Sequence, residues 1–383
     1  MFLNFLPQNC NTSGAVVLNG SALEGMSFDA NMLRPFVENG KRYVSRHTGE
    51  YITNDNGIQV PKLEAISVGE FIQNGVRHPV FNNTLALRKD EWLQLDTVVI
   101  KAARKRLRAY ADIAAANSVG GFDAMAKSVF EYETMSDPLE AKQDMDGLSA
   151  TRHDEAINTL QGTPLPITHA GFRFSSRKMA IGRGVGQPLE LSHAEAAGRR
   201  VGELVEKITI GTVTGMTYGR TADYGRAPKV YGYTNYPDRA TKTDLTAPTA
   251  SNGTTIVDDV LAMRELAYDS NFFGDFMLYT STNYDRYLDN DLKANSDITV
   301  RQRLLEIDNI SGVRRLDYLS GIFILLVQIT SDVVRSINGM CITTVQWETD
   351  GGMAMNFKVM AIQVPQIRSD SLGQCGVVHG TTS

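Results

Sequence analysis

The sequence predicts an α+β protein, and three stretches carry that reading. The first, "QPLELSHAEAAGRRVGELVEKITIGT" at 187–212, spaces Ala194, Ala197, Val201, Leu204, Val205 and Ile208 three and four residues apart. Those positions line one face of a long helix. The second, "IFILLV" at 322–327, is a short unbroken apolar run that reads as a buried strand. It falls far below the roughly 20 residues that a bilayer span requires. The third, "TVQWETDGGMAMNFKVMAIQVPQIRSD", offers two strand-like runs about a turn at Gly351-Gly352, with Pro365 ending the second.

Composition sets the frame for these elements. A chain of 383 residues with 42% hydrophobic and 21% charged residues has ample material for a core, and room for two or three domains or one elongated multi-lobed subunit. Its 38 Lys+Arg against 43 Asp+Glu exclude a polycation seeking nucleic acid over its whole surface. Cys10, Cys341 and Cys375 are too few and too scattered for a disulfide framework or a zinc site, and they fit a reducing compartment. The opening "MFLNFLPQN" has no positive n-region and no long apolar core, so a soluble protein, intracellular at synthesis and without membrane contact, is expected.

In chain order, residues 1–87 are rich in Asn, Gly, Ser and Thr and show short β-like pieces such as "KRYVSRHTGEYIT" without helical period. Such a stretch cannot close a core alone, and it reads as an extended arm ordered against something else. From Leu87 the pattern becomes helical. Trp92, Leu95, Val99, Ala102 and Leu107 fall near helical spacing, and Lys101, Arg104, Lys105, Arg106 and Arg108 occupy the other side. That cationic side is either a solvated face or one opposite an anionic neighbour such as a nucleic acid backbone. A strand-like run from Val129 to Tyr132 then leads into a long acidic excursion holding Asp137, Glu140, Asp144, Asp146, Asp154 and Glu155. The chain returns through "PITHAGFRFS", where Ile167, Phe172 and Phe174 suit a strand. A two-stranded excursion of this length needs a neighbour's surface. Arg173, Arg177, Lys178 and Arg183 follow at once, complementary in charge to the acidic loop.

The long helix has a strong start and a softened middle. Ser192 and Glu195 match the S-x-x-E capping box. Gly198 and Gly202 sit mid-helix, each costing about 1 kcal/mol relative to Ala. They either let the helix bend or let a crossing element approach closely. Beyond a turn-rich link comes a mixed lobe, with helices in "TTIVDDVLAMRELAYDSN", "TNYDRYLDNDLK" and "TVRQRLLEID", and strands in "DFMLYTS" and "YLSGIFILLVQIT". The tail "LGQCGVVHGTTS" reads as polar chain lying on a neighbour or in solvent.

No stretch carries chemistry. "GRGVGQ" at 182–187 lacks both the P-loop and the dinucleotide pattern, and "HAE" at 193–195 has no P-C-x-x-C partner. No G-x-S-x-G elbow or metal-spaced histidine set appears. No catalytic residue, metal or cofactor is expected.

The order of the parts resembles that of tailed-bacteriophage major capsid proteins of the Hong-Kong-97-type fold, close to its encapsulin-like branch. The resemblance rests on "RKDEWLQLD", the acidic excursion, "PLPITHAGFRFSSR", "PLELSHAEAAGRRVGELVEKITIGT", "VYGYTNYP" and the closing "GGMAMNFKVMAIQVPQIRSD", and it covers residues 88–370. It implies an arm (1–87), a basic helix opening the peripheral domain (88–130), an extended loop (131–175) and a peripheral domain (176–235) whose spine helix spans 189–211. An axial domain (236–345), closing strands (346–368) and a tail (369–383) complete the expected plan. It implies pentamers and hexamers in an icosahedral shell in the virion, assembled in the bacterial cytoplasm around double-stranded DNA. A portal, scaffold and cement or decoration proteins are possible further partners, and an encapsulin-type compartment holding protein cargo is the alternative. On this plan Asp144, Asp146 and Asp154 meet Arg173, Arg177 and Arg183 of an adjacent copy, Lys101, Arg104, Lys105 and Arg108 face packaged DNA, and Gly198 and Gly202 give the spine flexibility.

Overall fold

The computed structural model describes residues 87, 89–122, 124–135, 145–146, 158–184, 191–220, 224, 226–249, 253–293, 297–350, 353–370 and 372–382, with the backbones of five strands between 36 and 79. Those strands are β1 (Phe36–Glu38), β2 (Lys41–Thr53), β3 (Gln59–Ser67), β4 (Glu70–Gln73) and β5 (Val76–Pro79). Then come α1 (Lys89–Arg104), α2 (Ala109–Ala116), β6 (Ser118–Val119), β7 (Val129–Met135), β8 (Asn158–Pro164), β9 (Thr168–Ser175), α3 (Ser176–Gly184) and α4 (Ser192–Ile210). The second half adds β10 (Ala240–Lys242), α5 (Gly253–Asp269), β11 (Phe276–Thr280), α6 (Thr282–Leu288), α7 (Val300–Leu305) and β12 (Ile310–Arg315). It closes with β13 (Phe323–Gln328), β14 (Val334–Thr349), β15 (Ala354–Ile367) and β16 (Val377–Thr381).

Two sheets organise the body. The first runs β6-β14-β15-β9, with α1 and α4 on one face. Trp92, Leu95 and Val99 of α1 meet Ala194, Ala197 and Val201 of α4 over Phe174, Phe357 and Val359 of the sheet. Phe172 stacks on Phe357 at 5.1 Å and Phe174 meets the same ring edge-on at 5.6 Å. Each large apolar side chain fully buried here contributes roughly 1.5–3 kcal/mol. The apolar side of α1 continues through Ala103, not Ala102, because four residues on from Val99 holds the same face; Leu107, past the helix end, is only half-buried.

The second sheet runs β10-β16-β13-β11-β12. The "IFILLV" run lies at its centre, with β13 antiparallel to both β11 and β16. Helices α5, α6 and α7 cover one face through Ile256, Met263, Tyr284 and Leu304. On the other face Ile113 of α2 and Tyr233 join Leu325 and Val327.

Several expectations need correction. The tail does not lie in solvent: Val377 and Val378 are fully buried and β16 is an internal strand of the second sheet. Pro365 does not end its strand, since β15 runs to Ile367; beyond Ala361 it has no β9 beside it, and a residue without an amide is tolerated at such an edge. Ser192 is the first helical residue and Leu191 the N-cap, with no side-chain cap, so the capping box is not formed there. Glu195 instead donates its amide to the Leu191 carbonyl at 2.9 Å. Leu204, expected in the buried stripe, is 38% exposed. Within 1–87, "KRYVSRHTGEYIT" coincides with β2, and the described strands pair as β1-β2-β3 and β4-β5. Within 131–175, β9 returns into the first sheet, so the paired excursion is β7 with β8 alone.

The two glycines of α4 lie against α1. A Cβ on Gly198 would come within 2.6 Å of the Val99 carbonyl oxygen, and one on Gly202 within 2.7 Å of that of Ala103. Both obstacles are backbone, which cannot swing aside as a side-chain end can. Close approach is therefore what these glycines provide here. The double substitution Gly198→Ala, Gly202→Ala strengthens the isolated helix but forces α1 away. The overpacking outweighs the propensity gain, for a net loss of roughly 1–3 kcal/mol. A thermal melt of the variant should show a lower Tm; an unchanged or higher Tm would contradict the packing account.

Candidate assembly surfaces

The two sheets are joined through one short helix. The first two amides of α2 point at Glu206 of α4: Ala109 donates to Oε1 at 2.7 Å and Tyr110 to Oε2 at 3.2 Å. The α2 N-cap, Arg108, makes no side-chain cap, so the carboxylate of another helix fills that role. Further along, Asp112 accepts from Tyr279 of β11 at 2.8 Å and pairs with Arg314 of β12. Tyr110 donates to Asn338 of β14 at 2.6 Å, and the Asn117 carbonyl accepts from the Ser336 amide at 2.8 Å. One helix thus bonds to α4 and to both sheets.

An ion-pair chain runs beside this junction. Arg108 meets Asp317 at 3.4 Å, Asp317 meets Arg315 at 3.1 Å, and Arg315 meets Asp285 at 2.6 Å. Asp285 also meets Arg301 at 3.2 Å, which reaches Asp289 at 2.8 Å. Single exposed pairs contribute little, but a network sharing members holds geometry better.

Burial raises the Glu206 carboxyl to about 7, against the lowering pull of the α2 amides. It raises Asp112 too, offset by Tyr279 and Arg314. Glu206 escaped the sequence reading although it left a signal. It follows Gly198 and Gly202 at four-residue steps, which puts an acid on the buried face.

The β7–β8 ribbon belongs to neither of the two large sheets. Its strands pair from Val129↔Pro164 to Met135↔Asn158. Its root is tied by Tyr224 to Glu131 at 2.9 Å and by the Arg368 guanidinium over the Tyr132 ring at 5.3 Å. Beneath one ribbon face lies a cleft of about 400 Å³, bounded by the 226–238 loop and the end of β15.

The expected contact residues are scattered over this frame. Arg173 is exposed on β9 and lies 3.9 Å from Asp350 of its own chain, a pair with both side chains 66% exposed. Arg177 is exposed in the first turn of α3, and Asp146 is exposed. Asp144, Asp154 and the Arg183 side chain lie outside the described residues. Lys101, Arg104 and Lys105 share one exposed turn at the end of α1. Arg108 departs from them, drawn to Asp317 and the Arg315 carbonyl, the latter at 3.1 Å. Among the described residues no His, Cys, Asp or Glu cluster could hold a metal, and no helix is long and apolar enough to cross a membrane.

A model described as a family of unknown function (DUF6260) matches residues 82–380. A virus-like particle from Pyrococcus furiosus has a TM-score of 0.51 at 14% identity, with 75% of this chain and 97% of that chain covered. The capsid of Myoviridae phage XM1 gives 0.50 at 12%, covering 70% and 90%. A chain from Mycobacterium phage Bobi gives 0.51 at 9%, covering 72% and 90%. No curated protein matches the sequence. The shared architecture is the Hong-Kong-97-type fold.

The junction has a pH signature. Glu206 has a folded pKa of about 7, above its ordinary 4.5, so the folded state holds the proton more tightly. The stability this gives is complete below pH 4.5 and is lost as pH rises through 7, amounting to about 3 kcal/mol. Urea unfolding at pH 5 and pH 8 should show wild type losing more stability over that interval than Glu206→Gln. An equal loss in both proteins would contradict the assignment.

Proposed function

We propose that this chain, which belongs to the family of unknown function DUF6260, is a tailed-bacteriophage major capsid protein whose copies self-assemble into an icosahedral shell around double-stranded DNA. The observation that carries the reading is the likeness of subunit fold to a virus-like particle and a phage capsid over 70–75% of the chain. The ribbon agrees with it. Two strands alone are marginal in water, and a ribbon outside both large sheets gains its remaining contacts from a neighbour.

In this reading the ribbon lies across an adjacent subunit, and the lobe built on the second sheet meets its copies around the five- and six-fold positions. Asp144, Asp146 and Asp154 oppose Arg173, Arg177 and Arg183 of a neighbour, which fixes register more than it adds affinity. The Lys101, Arg104 and Lys105 turn faces the lumen, where it meets phosphate without reading bases. The virion is the site of action and the bacterial cytoplasm the site of assembly. The Pyrococcus furiosus particle keeps an encapsulin-type compartment in view, but residues 1–81 stand ahead of the family match and favour a viral shell.

Negative-stain microscopy of the purified protein should show closed shells, and particles from infected cells should carry a high 260 nm absorbance. Open aggregates or monomers alone would overturn the shell; shells filled with protein would favour the compartment. Replacing Lys101, Arg104 and Lys105 with Gln should leave shells intact and lower their nucleic acid content several-fold. Unchanged content would remove this turn from the lumen.

A further inference from the structure

The cleft under the ribbon contains a side chain whose own fold leaves it unfinished. Gln366 lines the cleft, is 1% exposed, and neither its amide nitrogen nor its amide oxygen has a hydrogen-bond partner. Buried carboxamides are ordinarily paired, and one left wholly unpaired is costly to keep. The ribbon wall above it carries Tyr132, Thr134, Thr159, Gln161 and Thr163, neutral groups with hydroxyls and an amide. They come from alternate positions of paired strands, Tyr132 opposite Gln161 and Thr134 opposite Thr159, so they face one way.

The charge in the cleft is balanced. Arg226 holds Asp238 through two contacts of 2.7 and 2.8 Å, and the other lining ions are Lys229 and Asp370, one of each sign. The Lys229 ammonium lies over the Tyr231 ring at 5.4 Å. A cleft for phosphate or nucleic acid would carry surplus cation. Neutral donors and acceptors at strand spacing, with one free carboxamide offering both a donor and an acceptor, suit the main chain of an extended peptide instead.

We propose that this cleft receives an extended polypeptide segment of a second copy of the chain, whose backbone amide pairs with the Gln366 side chain. The inference rests on the shell reading and names a contact within it. A shell presents other copies at a local concentration that no free ligand matches. Docking there would satisfy Gln366 and cover the polar wall of the ribbon in one step.

Two experiments test it on full-length protein. Gln366→Met keeps the shape and removes the amide, so the lone subunit should melt at the same or a higher temperature while shell yield at fixed subunit concentration falls about tenfold. Unchanged shell yield would overturn the proposal and leave the shell reading standing. A photo-crosslinking residue at Thr159 should couple to another copy in assembled particles and not in free subunits. Coupling only within its own chain, to nucleic acid or to nothing would also overturn it. Failure of the wild type to form shells would defeat the shell reading and this contact together.

Discussion

The bonds that α2 makes tie α4 to both sheets where the two halves of the body meet. Glu206 reaches from α4 to both leading amides of α2, and Asp112 reaches from α2 to β11 and β12. Without the carboxylate, α2 would begin with unpaired buried amides, which the fold does not tolerate. With it, one turn of chain fixes the angle between a lobe made from α1, α4 and the β14–β15 hairpin and a lobe built on β13. The location is dry, and desolvation outweighs the pull of the amide dipoles, so the group keeps its proton up to about pH 7.

The second constraint is the contact of α1 with α4. Glycines at two successive turns let the α1 backbone come within reach of α4, and the aromatic layer of Phe172, Phe174 and Phe357 fills the space below. This makes a firm platform. Beside it the ribbon is held by a hydrogen bond and a cation–π contact over a cleft that its own chain leaves partly unsatisfied. A rigid body bearing incomplete extensions is what a subunit needs if its surfaces are to be finished by copies of itself.

Much of this was legible in the residues. Periodicity located α1, α4 and α5, the apolar run located β13, and the two strand-like runs of the closing segment located the end of β14 and β15. The failures share a cause, which is that long-range partners decide them. Val377 and Val378 sit among Gly and Thr and look like tail until β13 and β10 flank them. Glu206 finds its partners 96 and 97 residues earlier, so the four-residue spacing that marks it as buried does not say what it meets. Gly198 and Gly202 were ambiguous because helix propensity alone cannot tell a bend from a close approach; the Val99 and Ala103 carbonyls can. Of the cationic turn, three members could be read from spacing, while Arg108 was redirected by Asp317, more than two hundred residues away.

The central claim is that the ribbon and its cleft are completed only by another copy. Amide hydrogen exchange on the same preparation, before and after assembly, tests this most directly. The account predicts that residues 129–135 and 158–164 exchange readily in the free subunit and become strongly protected in the particle, while β13 is protected in both. Ribbon amides already protected in a subunit that stays single, or equally exposed in the particle, would contradict it.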